Sequence, residues 1–189
     1  MKTKITTFVV LFALQFLFSQ QLVHAQVKLA GMSAATFTPV EKVKTDTRAK
    51  ALQAYLVATN SPLADSAETF VKSADKYDID WKLVAAISGL ESGYGQHIPY
   101  NSYNAWGWGV YGTNVHYFAS WDDGIETISQ SIRERYMDQR GATNVYEIGA
   151  TYAASPTWAV RVEGIMNRID AFYEDFENSN DSTTLSLSL

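Results

Sequence analysis

Glu91 is the residue whose type and position first suggest chemistry. It closes the run Trp81-Lys82-Leu83-Val84-Ala85-Ala86-Ile87-Ser88-Gly89-Leu90-Glu91, where a period of about 3.6 residues puts it on the same side as Val84 and Ile87. A carboxylate therefore stands in the last turn of a face otherwise suited to a core. The macrodipole at a helix C-terminus disfavours negative charge, and the aromatic residues that follow remove water, so both effects favour the neutral carboxyl. A carboxyl that keeps its proton near neutral pH is what a general acid needs, as when the leaving oxygen of a glycosidic bond is protonated. Position alone also fits an ordinary, partly exposed glutamate at a helix end.

The stretch after Glu91 changes character. Five of the eleven glycines lie in 93–112 and three of the five tryptophans in 106–121. Tryptophan and tyrosine bury the flat C–H faces of sugar rings while their N–H and O–H groups stay paired, so Tyr103, Trp106, Trp108, Tyr111 and Tyr117 are candidate substrate-binding residues. Some of them could instead form a small local core; Trp106 is expected to be partly structural and Trp108 more exposed. Asn104 could donate to an acetamido or hydroxyl group, or shape a turn. No Asp or Glu occurs between Gln96 and Trp121, so this stretch offers no second carboxylate to act as nucleophile or to activate water. Asp122 and Asp123 come next, and their place in a first helical turn marks them as capping residues. His97 and His116 stand at no metal-ligand spacing with another His or acid, so no metal is expected.

The elements that must position these groups are mainly helices. Thr47 to Ala58 spaces Ala51, Leu52, Tyr55 and Leu56 as a helix does, and Ser61-Pro62 restarts one through about Lys76. Asp80 caps the helix that ends at Glu91, where Gly93 and Gly95 make continuation costly. Ser120 and Asp123 form a capping box before Ile125, Ile128, Ile132 and Tyr136 on one face. Val145 to Ala154 predicts a short helix. Ser155-Pro156 then opens a long one, with Trp158, Val162, Ile165, Ile169, Phe172 and Phe176 as its buried stripe. Tyr103 to Phe118 alternates in places with period two around Tyr111-Gly112-Thr113-Asn114, which predicts a small β-hairpin or irregular lobe.

The 189 residues, 47% of them hydrophobic, suffice for one globular domain. The absence of cysteine excludes a disulfide framework and a thiol nucleophile. Lys2 and Lys4 before the apolar stretch from Phe8 to Phe18, with Ala25 at a plausible cleavage point, read as a secretory signal over residues 1–25. An uncleaved N-terminal anchor is the alternative, and either way the domain is exported. Removing that segment takes away two lysines and no acid, carrying the net charge from −5 to −7 and arguing against nucleic-acid binding. Residues 26–46 read as a spacer, 47–176 as the domain and 177–189 as a flexible tail.

Glu91-Ser92-Gly93-Tyr94-Gly95, closing an apolar helix and followed by Tyr103-Asn104-Ala105-Trp106-Gly107-Trp108-Gly109, resembles the glucosaminidase-type branch of the lysozyme-like peptidoglycan hydrolases. Phe118-Ala119-Ser120-Trp121-Asp122-Asp123-Gly124-Ile125 is similar to the start of the family's helix after the β-lobe. Tyr152-Ala153-Ala154-Ser155-Pro156-Thr157-Trp158 is similar to its closing Tyr-Ala segment. The resemblance covers roughly Phe70 to Tyr173. It implies a mainly α fold, a lysozyme-like α+β domain with a small β-hairpin lobe lining the cleft. It also implies Glu91 as general acid, Tyr152 as the cleft tyrosine that supports the reacting sugar, and Ser92 beside the acid as a substrate-binding residue. The expected enzyme is an exported endo-β-N-acetylglucosaminidase acting on peptidoglycan as a monomer without cofactor. With no second carboxylate, the substrate's own 2-acetamido group is the expected participant. A lytic transglycosylase is the near alternative, although its Gly-Leu-Met-Gln segment is absent. A non-catalytic glycan-binding module is the distant one.

Overall fold

The computed structural model describes residues 46–110, 112 and 114–186, with side chains through Asn180. The signal segment and all but the last residue of the spacer lie outside the described residues, as do Tyr111 and Thr113.

Helix α1 (Thr47–Ala58) starts where the Asp46 carboxylate accepts from the Arg48 amide at 2.8 Å. Arg48 also donates to both carboxylate oxygens of Asp75, tying α1 to α2 (Ala67–Tyr77). Ahead of α2 the chain makes a turn at Pro62 and a short 3₁₀ segment, Ala64–Ser66, so the predicted single helix from Ser61 is divided. Ser61 explains the division: its hydroxyl accepts from Leu63 N and donates to Tyr94 O, holding the first turn against the loop beyond Glu91. Asp80 accepts from Lys82 N ahead of α3 (Leu83–Ser92), whose C-cap Gly93 lies at φ 61°, a left-handed conformation that costs glycine little.

Helix α4 (Trp121–Ser131) opens with the expected box: Ser120 Oγ accepts from Asp123 N at 3.1 Å, and Asp123 accepts from Ala119 N at 2.9 Å. It continues as a π-helical segment, Ile132–Asp138, which the sequence did not announce. Helix α5 (Val145–Tyr152) is short, and α6 (Trp158–Ser186) runs on through the segment read as a tail. Neither Gly nor Pro occurs between Asn167 and Ser186, so nothing local stops it.

Helix α2 packs on α1 and α4, and α6 lies across α1, α3 and α5. Leu52, Leu56, Phe70, Ile87, Ile125, Ile128, Ile132, Ile148 and Ile169 are buried between them. Such side chains each contribute roughly 1.5–3 kcal/mol. Three glycines inside helices clear space for aromatic rings. A Cβ on Gly89 would meet the Tyr94 ring at 2.5 Å, one on Gly124 the Trp106 ring at 2.5 Å, and one on Gly149 the Trp158 ring at 2.9 Å. One of those rings, Trp158, reaches the Glu91 carboxyl. Between Asn101 and Phe118 the described backbone forms turns with a single bridge position at Asn114, so the expected hairpin is represented there by that bridge alone. No helix among the described residues is long and apolar enough to cross a membrane.

Candidate active site

Glu91 sits one residue before the end of α3, with its side chain exposed. Its Oε1 accepts a 2.7 Å hydrogen bond from Trp158 Nε1, contributed by the first turn of α6. An indole N–H only donates, so the bond fixes the carboxyl plane whichever protonation state Glu91 holds. Oε2 faces Gly107: a Cβ built there would lie 3.6 Å from it. Gly107 itself is at φ 61°, and its missing side chain keeps that oxygen open to the cleft.

Tyr152 ends α5 and stacks on Trp158, with centroids 4.7 Å apart and planes inclined by 26°. Its hydroxyl donates to Trp106 O at 3.0 Å. Burial pushes the Tyr152 hydroxyl well above the usual phenol range, and the nearby Glu91 and Tyr136 add to the shift. It therefore acts as a neutral hydrogen-bonding group rather than a base. Trp158 thus orients the acid through its N–H and supports Tyr152 through its ring face. The sequence placed Trp158 only in a buried stripe. Its link to Glu91 joins residues 67 apart in the chain, beyond the reach of any local pattern.

The remaining candidates divide by burial. Trp106 is 1% exposed, donates from Nε1 to Val84 O at 3.0 Å and packs edge-on against Phe118. It belongs to the core, and its contribution to the site is the carbonyl that receives Tyr152. Asn104 is buried as well. Its Nδ2 donates to Trp108 O and His116 O, and its Oδ1 accepts from Trp108 N at 3.0 Å. These bonds hold the two sides of the loop together, the turn-shaping role rather than sugar contact. Ser92 is buried within 2.9 Å of Ala105 O and accepts from Gly95 N, so it pins the loop to the end of α3. By contrast, Trp108 is half-buried, its ring tilted toward Tyr152 at 6.4 Å. Tyr103 is exposed and packs edge-on to Trp121, and Tyr117 is 58% exposed. Tyr111 lies outside the described residues.

Gly107 also borders a hollow of about 480 Å³, lined by Trp108, Val110, Arg135, Tyr136, Arg140 and Tyr152 among others. Arg135 and Arg140 come from the π-helical segment and the turn after it, and the sequence reading did not single them out. Asp123 is occupied by its cap. No group of three or more metal-ligating side chains occurs among the described residues.

Trp158 and Glu91 from helices distant in sequence, Gly107 opening one carboxyl oxygen, and an aromatic-walled cleft suit proton transfer to a polymer laid across the surface. No curated protein matches the chain. Residues 67–171 match the glucosaminidase family, described as mannosyl-glycoprotein endo-beta-N-acetylglucosaminidase, a span that includes Glu91, the loop, Tyr152 and Trp158. The chain belongs to the glucosaminidase family of glycan-cleaving hydrolases.

Proposed function

We propose that the protein is an exported peptidoglycan hydrolase that cuts β-1,4 bonds after N-acetylglucosamine, with Glu91 as its single general acid. The observation that carries this reading is the Glu91 carboxyl, oriented by Trp158 Nε1 at 2.7 Å and left open on the Gly107 side. Glu91 protonates the leaving oxygen as the C1–O bond breaks, and the substrate's acetamido oxygen bonds to C1 in its place. A water then attacks C1, giving its proton to the Glu91 carboxylate, and the acetamido group is released. Tyr152, kept neutral, offers its oxygen lone pairs to the sugar while its proton is held by Trp106 O. Trp108, Tyr103 and Tyr117 supply ring faces along the cleft.

The lack of any acid between Gln96 and Trp121 also suits a lytic transglycosylase, in which the sugar's own 6-hydroxyl closes on C1 and no water is consumed. Mass spectrometry of fragments released from isolated peptidoglycan separates the two readings: reducing N-acetylglucosamine ends mean hydrolysis, anhydro-muramic ends mean transglycosylation. Glu91→Gln should lower the rate by about a thousandfold or more. A folded Glu91→Gln protein, verified by circular dichroism, that keeps most of the lytic rate would overturn the role of Glu91. A wild-type protein that binds peptidoglycan and releases no fragments would mark a binding module.

A further inference from the structure

We propose that Arg135 and Arg140 form a carboxylate-binding subsite next to the cleavage point, which makes the enzyme selective for glycans that carry acidic substituents. This rests on the glycan-cleaving reading above and names the substrate class that the cleft prefers.

Arg135 and Arg140 both line the hollow that Gly107 borders, the residue that abuts the Glu91 carboxyl. Among the described residues no acid lines that hollow. Among the described residues, Arg48, Lys72, Lys76, Lys82 and Arg133 each stand in an ion pair. Arg135 and Arg140 do not, nor do Lys50, Arg161 and Arg168, which do not line the hollow; the chain as a whole holds 20 acids against 15 Lys and Arg. The acids nearest to them in sequence are engaged elsewhere: Asp138 with Arg133 at 3.0 Å and Glu134 with Gln130 at 2.9 Å.

Each guanidinium instead lies over an aromatic face, Arg135 over Trp108 and Arg140 over Tyr136, both 5.3 Å from the ring centroid. A guanidinium seated on a ring loses part of its freedom but keeps its N–H edge available, and that edge matches the two oxygens of a carboxylate. Tyr136 and Trp108 both lean toward Tyr152, which stacks on Trp158, the partner of Glu91. The cationic edge and the acid are thus joined by one set of packed rings. Peptidoglycan presents such a group: every second sugar carries a lactyl ether whose carboxyl is either free or extended by a peptide that has carboxylates of its own. A neutral chain of N-acetylglucosamine or mannose presents none.

The test measures kcat/KM of the wild-type protein on isolated peptidoglycan and on peptide-free glycan strands, each before and after its carboxyls are capped as amides. Capping should lower kcat/KM about tenfold or more, the scale of a hydrogen-bonded charge pair. A drop on peptide-free strands assigns the lactyl carboxyl, and a drop on intact wall alone assigns the peptide. In Arg135→Gln/Arg140→Gln the ratio of uncapped to capped rates should approach one, and Arg135→Lys/Arg140→Lys should restore part of it. Binding of uncapped and capped soluble fragments to Glu91→Gln protein, read by tryptophan fluorescence, tests the subsite without turnover. Selective binding by a wild-type protein that cleaves nothing would overturn the hydrolase reading and leave the subsite standing. Equal binding of both fragments, or a double variant that retains the wild-type ratio, would overturn the subsite.

Discussion

The two halves of the loop between α3 and α4 use the same residue types for opposite work. From Ser102 to Trp106 the side chains of Ser102, Asn104 and Trp106 are almost fully buried. From Gly107 to Tyr117 the described residues are exposed or half-buried, and Trp108 and Tyr117 turn aromatic surface outward. The first half, the exposed Tyr103 apart, is an internal anchor, and the second is a surface. Composition does not distinguish them, because a tryptophan that fills a core and one that receives a sugar ring are chosen for the same large, flat, apolar body. The difference lies in what meets the indole. Gly124 makes room for Trp106 inside the molecule, whereas Trp108 has Arg135 over its face and the hollow beside it.

That contrast breaks most readily at the two tryptophans. Trp106→Ala should cost about 3–5 kcal/mol of stability in urea unfolding, as expected for a large aromatic removed from a packed core. Trp108→Ala should cost much less stability and instead raise KM on glycan; equal losses of stability in the two variants would erase the division. Next in size is Trp158→Phe, which keeps the ring stack on Tyr152 and deletes only the donor to Glu91. It should lower kcat by about tenfold to a hundredfold, the loss of the hydrogen bond that orients the carboxyl, while the unfolding midpoint moves little. An unchanged kcat would mean that Glu91 is positioned by something other than its indole partner. The smallest effect belongs to the rim: Tyr117→Ser should leave stability within about 0.5 kcal/mol and raise KM modestly, and an unchanged KM would remove Tyr117 from the binding surface.

Much of the scaffold was legible because its signals are local. The Ser120–Asp123 box, Asp80 ahead of α3, the Ile125, Ile128, Ile132 and Tyr136 face, and Glu91 at a helix end all follow from spacing and capping chemistry. Thr47–Ala58 stands where its period placed it. The misses are long-range or compete with a local signal. Ser61 carries the marks of an N-cap, yet its hydroxyl also bonds Tyr94 O, 33 residues on, and the first turn tightens into a 3₁₀ segment. The polar composition after Glu177 suggested a tail, but without a breaker α6 continues. Asn104 was open between a sugar contact and a turn, and only its bonds to Trp108 and His116 decide the matter. Arg135 and Arg140 were not singled out because nothing in one dimension reveals that both sit over aromatic faces at one hollow.

The π-helical segment Ile132–Asp138 also bears on how this chain could diversify. Its widened turn holds one residue more than an α-helix would need over the same rise. Deleting a single residue there would restore the ordinary winding and leave the elements on either side in register, because the extra residue is what the wide turn absorbs. The side chains inside the segment, Arg135 among them, would change their facing, while Ile125 and Ile128 upstream, Glu91 on a separate helix and Trp158 downstream would keep their places. A one-codon deletion therefore alters the arginine edge of the hollow and leaves the Glu91–Trp158 pair intact, so that the two are inherited as separable traits.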